Sequence, residues 1–172
     1  MQRLWILGAL VFTLAAAPAA YAHDTPDHKL VVGLQDDDDD VEDLPPSRLR
    51  QARCPICVQP VLVNYGVVYN TCPVYFCSDD CSESFVATPV RYVPWANCQL
   101  FATQQFYQPT CALCPQPIAR NQFCNVGGTR VSFCSSGCRS QVTSLEPREA
   151  VQKVFSKTTF TKRFKKKVVN VD

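Results

Sequence analysis

Cys54-Pro55-Ile56-Cys57 is followed after nineteen residues by Cys77 and after three more by Cys81. The same spacing returns 57 residues later as Cys111-Ala112-Leu113-Cys114, Cys134 and Cys138. A pattern matched at all four positions marks a duplicated structural unit, and it takes up eight of the eleven cysteines. A unit of about 45–55 residues buries too little apolar surface to be stable by itself and needs a metal or covalent cross-links. The cysteines are therefore the first constraint on the fold, ahead of any function.

Each set of four is expected to converge. A Cys-x-x-Cys turn points two sulfurs the same way, a hairpin brings the chain back, and cysteines four apart at a helix start share one face. Four soft thiolates suit a closed tetrahedral Zn site and also suit Cu(I). The candidate metal ligands are Cys54, Cys57, Cys77 and Cys81 for one ion, and Cys111, Cys114, Cys134 and Cys138 for a second. The positive helix start favours the thiolate form of Cys77 and Cys134. Two other chemistries stay open at this level: a disulfide framework and a redox-active Cys-x-x-Cys. Direct Cys77–Cys81 and Cys134–Cys138 bonds are poor, because helical neighbours at this spacing hold Cβ atoms about 5–6 Å apart and a disulfide wants about 3.5–4.5 Å. Pairs from knuckle to helix are not excluded in this way. A redox role leaves two equally spaced partners in each copy unexplained. Cys72, Cys98 and Cys124 fall outside the repeat, as one disulfide plus a free thiol or as small buried apolar residues. The odd total leaves at least one sulfur without an intramolecular disulfide partner.

The chain divides around the repeat. Residues 1–22 have the form of a secretory signal peptide: Arg3, an apolar run from Leu4 to Ala17, Pro18, and Ala20-Tyr21-Ala22 as a small-x-small cleavage triplet. This predicts a secreted or periplasmic protein, an oxidising space in which disulfides persist. Residues 23–52 are expected to be an acidic disordered linker, with Asp36 to Asp40 consecutive and Pro45-Pro46 stiffening its end. The first cysteine module spans 53–95. Val61 to Phe76 is predicted as a β-hairpin reversing at Asn64-Tyr65-Gly66, followed by a helix capped by Ser78 and ending near Ala87, with Pro89 as the stop. A linker over 96–110, opened by Pro94-Trp95, leads to the second module at 111–156. There Gly127-Gly128 makes the turn, Ser135 caps a helix, and Pro147 starts another that runs to about Phe155. Residues 157–172 form a basic tail, expected to be a mobile end or a contact for anionic lipid.

Other functions find little support. The net charge of +2 gives no global field for nucleic acid. His23 and His28 are the only histidines and lie in the acidic linker, where general-base positioning is poor. They leave both modules without an imidazole ligand. No phosphate-binding glycine loop or serine-nucleophile motif is present, so the chain is not expected to be an enzyme. The two sites should differ in strength: Asp79 and Asp80 between Cys77 and Cys81 oppose thiolate formation, whereas Ser135, Ser136, Gly137 and Arg139 stand around the second helix start.

Each copy resembles the TRASH and YHS group of small treble-clef-like metal-binding modules. The residues that carry the likeness are Cys54-Pro55-Ile56-Cys57, Phe76-Cys77-Ser78, Cys81, Phe85, Pro89 and Tyr92, and in the second copy Cys111, Cys114, Phe133, Cys134, Ser135 and Cys138. Val58-Gln59 and Pro115-Gln116 stand where such modules often carry Gly-Met. The resemblance covers about 90 of the 172 residues. It implies a small α+β fold of two tandem modules (knuckle, β-hairpin, short helix) and heavy-metal binding in trafficking, resistance or sensing. The expected function is that of an exported protein holding two ions of Zn or Cu(I) as carrier, buffer or structural adaptor, with the metal and a protein as partners. A disulfide-stapled interaction module and a thiol–disulfide oxidoreductase are the alternatives.

Overall fold

The computed structural model describes residues 44–167. The leader over 1–22, the aspartate run, both histidines and residues 168–172 lie outside them. The described chain is small α+β: six helices and three separate two-stranded antiparallel sheets.

The folded part starts earlier than the first knuckle. Pro46 opens a single turn, α1 (Pro46–Leu49), at the position where its missing N–H is not needed. Leu49 and Ala52 are buried beneath it, so the end of the expected linker belongs to the core. The hairpin then forms from β1 (Leu62–Tyr69) and β2 (Cys72–Phe76). Its reversal lies at Asn70-Thr71, with φ +53° and +59°, and not at Asn64-Tyr65-Gly66. A two-residue hairpin turn needs positive φ at both positions, and Asn tolerates it. Thr71 does not favour it, but Lys166 Nζ donates to its carbonyl at 3.0 Å and to its Oγ1 at 2.8 Å. Asn64 and Tyr65 instead lie in a bulge: pairing passes from Leu62↔Phe76 directly to Gly66↔Tyr75.

Helix α2 (Asp79–Ala87) matches expectation, with Ser78 as its cap. Pro89 does more than end it. It is the first residue of α3 (Pro89–Ala102), which continues through Pro94 and replaces the first part of the expected linker over 96–110, residues 96–102, with helix. Pro94 forfeits one helical hydrogen bond, a cost of about 3 kcal/mol. The turns beyond it bury Ala96, Asn97, Cys98, Gln99 and Leu100, and that burial offsets the loss. The helix closes with Gln104 at φ +61°. There Gln105 N–H donates to Leu100 C=O and Gln104 N–H to Phe101 C=O, both at 3.0 Å, the paired bonds of a Schellman ending.

The second copy follows its predicted plan. β4 (Phe123–Val126) and β5 (Thr129–Ser132) turn at Gly127-Gly128, with φ +61° and +87°. They lead to α4 (Ser136–Thr143) and α5 (Pro147–Phe155). The basic tail departs from prediction as far as Lys167. It forms α6 (Lys157–Arg163) and β6 (Lys165–Lys166), and β6 pairs with β3 (Phe106–Tyr107). The lysines stay in solvent while Phe160 and Phe164, four apart on one face, are buried. Their rings stack at 5.0 Å. Phe160 meets Phe106 at 4.8 Å, and Phe164 meets Phe101 at 5.0 Å and Phe155 at 5.4 Å. Five phenylalanines thus join the connecting segment to the C-terminal helices. One continuous buried cluster takes residues from both copies and from the segment between them.

Two predictions follow from this packing. Phe160→Ala should lower unfolding free energy by about 3–5 kcal/mol, whereas Lys162→Ala should stay within about 0.5 kcal/mol, both measured by urea denaturation. At the Gly-Gly turn, a Cβ on Gly127 would lie 2.6 Å from Cys98 Sγ and 3.0 Å from Val151 Cγ2, while one on Gly128 would meet nothing within 4 Å. Gly127→Ala should therefore cost at least about 1 kcal/mol more than Gly128→Ala. Equal midpoints for the two variants would contradict the packing of the hairpin on Cys98.

Candidate metal centres

Each centre is assembled from two parts. The first is the knuckle. Cys54 N–H donates to Gln59 C=O at 2.8 Å and Val58 N–H to Cys54 C=O at 2.9 Å, and the repeat-related Cys111 N–H donates to Gln116 C=O at 2.9 Å. These bonds curl the chain so that both sulfurs of each Cys-x-x-Cys face inward. The second part is a strand end joined to a helix start. Cys77 and Cys134 are not helical. They end the hairpins, and the next residue, Ser78 or Ser135, is the extended N-cap of α2 or α4. Ser78 Oγ accepts from Cys81 N–H at 3.4 Å and Ser135 Oγ from Cys138 N–H at 3.3 Å. The cap thus fixes the backbone of the fourth cysteine while leaving its sulfur free.

The sulfurs come together as predicted. Cys54, Cys57, Cys77 and Cys81 form one group and Cys111, Cys114, Cys134 and Cys138 the other, with all sulfurs of a group within 4.8 Å of one another. Neighbouring sulfurs lie 3.3 Å apart for Cys57–Cys77 and 3.7 Å for Cys77–Cys81. In the second group Cys114–Cys134 is 3.4 Å and Cys134–Cys138 is 3.6 Å. Four sulfurs bound tetrahedrally at about 2.3 Å from a zinc ion sit about 3.8 Å from each other, whereas a disulfide closes to about 2.05 Å. The donor set and its spacing fit a metal, and all eleven cysteines are free thiols.

The two groups differ in exposure and in proton affinity. Cys54 and Cys111 are fully buried, Cys57 is exposed, and the other five are half-buried. At the second centre, burial pushes the Cys111 thiol up. The backbone N–H groups of Leu113, Cys134 and Cys114 aimed at its sulfur outweigh this and bring it down to about 7. Cys138 is raised, first by burial, against lowering bonds with Cys134 and Ser135, with Cys111 adding to the rise. At the first centre Cys81 is pushed up to about 12, mainly by burial, with Cys77 and Cys54 adding to the rise and the Ser78 hydroxyl opposing it.

The remaining cysteines belong to neither centre. Cys98 is buried under the second hairpin, its thiol 3.6 Å from Gly127 C=O, and burial pushes it up to about 12. Cys72 is buried in β2 with the Lys166 ammonium beside it; burial raises it and that charge partly offsets the rise. Cys124 is half-buried in β4.

Two residues absent from the sequence reading brace the centres. The amide of Gln99, buried in α3, donates to Arg53 C=O at 2.9 Å and Tyr75 C=O at 2.7 Å, and accepts from Tyr75 N–H at 2.7 Å. The amide of Gln108 donates to Thr110 C=O at 2.8 Å and Ser132 C=O at 2.6 Å, and accepts from Ser132 N–H at 3.0 Å. No periodicity or spacing marks them, because the 57-residue offset pairs Gln99 with Ser156 and Gln108 with Gln51. Comparison with known proteins gives no matching family model, no matching curated protein and no matching solved structure. The chemistry of the centres therefore rests on their own geometry.

Metal binding to thiols displaces protons, so acid releases the metal, and the centre whose thiols ionise at lower pH keeps it longer. The charges of Asp79 and Asp80 oppose thiolate formation at the first centre, and no residue between Cys134 and Cys138 repeats them, which places the more acid-resistant centre second. Cys57→Ser leaves the second centre intact and Cys114→Ser leaves the first. Zinc retention titrated with acid and with a chelator should show the Cys57→Ser protein releasing its ion at the lower pH and the higher chelator concentration. The reverse order would mean that the exposure and charge differences do not control affinity.

Proposed function

We propose that this chain is an exported, non-catalytic protein that binds two heavy-metal ions through two four-cysteine centres and serves as a metal carrier, buffer or metal-held adaptor. The observation that carries the reading is the convergence of eight free thiols into two groups at metal-binding distances. Zinc is the first expectation, since four thiolates in a compact cluster match its closed tetrahedral site. Cu(I) shares the preference for sulfur and is the second candidate. The resemblance to TRASH and YHS modules supports the same chemistry, with heavy-metal trafficking, resistance or sensing as the process class. Export rests on the leader-like residues 1–22. Among the described residues no helix is long and apolar enough to cross a membrane.

Exposure suggests how the labour is divided. Cys57 is the one exposed thiol of the eight, so the first centre is the one an incoming thiol or chelator can reach. The second, with no exposed thiol, is suited to holding the fold.

Metal analysis of protein isolated from its native compartment, with thiol counting under denaturation, tests the proposal. The expected result is about two zinc or copper ions per chain and at least eight reactive thiols, with chelation lowering the thermal midpoint. Metal-free protein with oxidised cysteines would replace this reading with the disulfide-stapled module.

A further inference from the structure

Gln99 and Gln108 make the same three contacts at the two centres. Arg53 and Thr110 directly precede the first knuckle cysteines, and Tyr75 and Ser132 each lie two residues before the cysteine that ends a hairpin. In each centre a single amide therefore spans the gap between knuckle and strand, with two donor bonds and one acceptor bond of 2.6–3.0 Å. The arrangement is the same, but its origin in the chain is not. Gln99 follows its strand partner by 24 residues and Gln108 precedes its own by 24. Both amides come from the one segment that joins the copies.

Resting on the metal reading above, we propose that Gln99 and Gln108 are positioning residues, each setting the distance between the two halves of one metal centre and thereby its affinity. The amide is suited to this. It offers two donors and an acceptor on one rigid plane, and it satisfies a strand residue's C=O and N–H while reaching the carbonyl just ahead of the knuckle. A carboxylate has no donor for the two carbonyls, and an aliphatic side chain leaves all three backbone groups unpaired. The amide draws the knuckle and strand-end sulfurs together, and by reciprocity a bound ion holds the amide bonds closed. Groups that orient metal ligands from behind change affinity by about 10–100-fold when removed.

Cd(II)-loaded full-length protein followed by cadmium-113 NMR tests this, with Cys57→Ser and Cys114→Ser assigning the two signals. Gln99→Leu should weaken the first centre by about 10–100-fold against a competing chelator and leave the second unchanged, and Gln108→Leu should do the converse. A role confined to general stability would weaken both centres together, and that result, or unchanged affinities, overturns the proposal. Gln108 is only half-buried, so Gln108→Leu decides the matter if Gln99→Leu does not fold. A measurement on the native sequence is independent of both variants: the side-chain amide protons of Gln99 and Gln108 should exchange faster when their own centre is stripped, and equal exchange with and without metal would refute the link. Native protein that takes up neither Cd(II) nor Zn(II) removes the metal reading itself, an outcome distinct from the loss of site selectivity.

Discussion

Four sulfurs held within 4.8 Å of one another cannot all be ionised unless a cation lies among them. This constraint governs both halves of the molecule. Without a cation, protons must occupy most of the thiols, and burial of Cys81 and Cys138, which raises their proton affinity, acts in the same direction. With one, mutual repulsion becomes shared attraction, and knuckle, hairpin and helix start are joined through a common centre. The serine caps and knuckle turns fix the backbone, so the energy of the cluster is concentrated in the sulfurs.

The apolar core is organised to present these clusters. Phe76 and Phe85 pack at 5.3 Å behind the first, and Phe133 is fully buried next to Cys134. The larger aromatic group, Phe101, Phe106, Phe155, Phe160 and Phe164, ties α3 to α5, α6 and the β3–β6 pair. Two units that are each too small to be stable alone thus gain a common interior. The cluster sulfurs remain at or near the surface, apart from Cys54 and Cys111.

Local and repeated signals were legible in the chain. Cysteine spacing gave both clusters, serine before the fourth cysteine gave the caps, Gly127-Gly128 gave the second turn, and Pro147 gave the start of α5. The failures share a cause: tertiary contacts outweighed local preference. Asn64-Tyr65-Gly66 looks like a turn, but β2 pairs so as to leave Val63 to Tyr65 as a bulge, and Lys166 supports Thr71 in a conformation it would otherwise avoid. Pro94 looks like a break, yet the burial that follows it keeps α3 whole. The C-terminal lysines look like a solvated end, but Phe160 and Phe164 among them carry the segment inward. The glutamines gave no signal, because their role depends on which backbone groups the fold leaves unpaired beside them.

The segment holding Gln99 and Gln108 has a further consequence for how such a chain can be divided. At the level of sequence the copies are equal, and a cut between them would seem to return two complete halves. In space the segment faces both ways: Gln99 serves the copy behind it and Gln108 the copy ahead, and the interior they share closes only once residues 157–164 have come back across it. The chain carries two sets of ligands, and each set depends on the stretch that separates them. The joint is the part on which both neighbours lean.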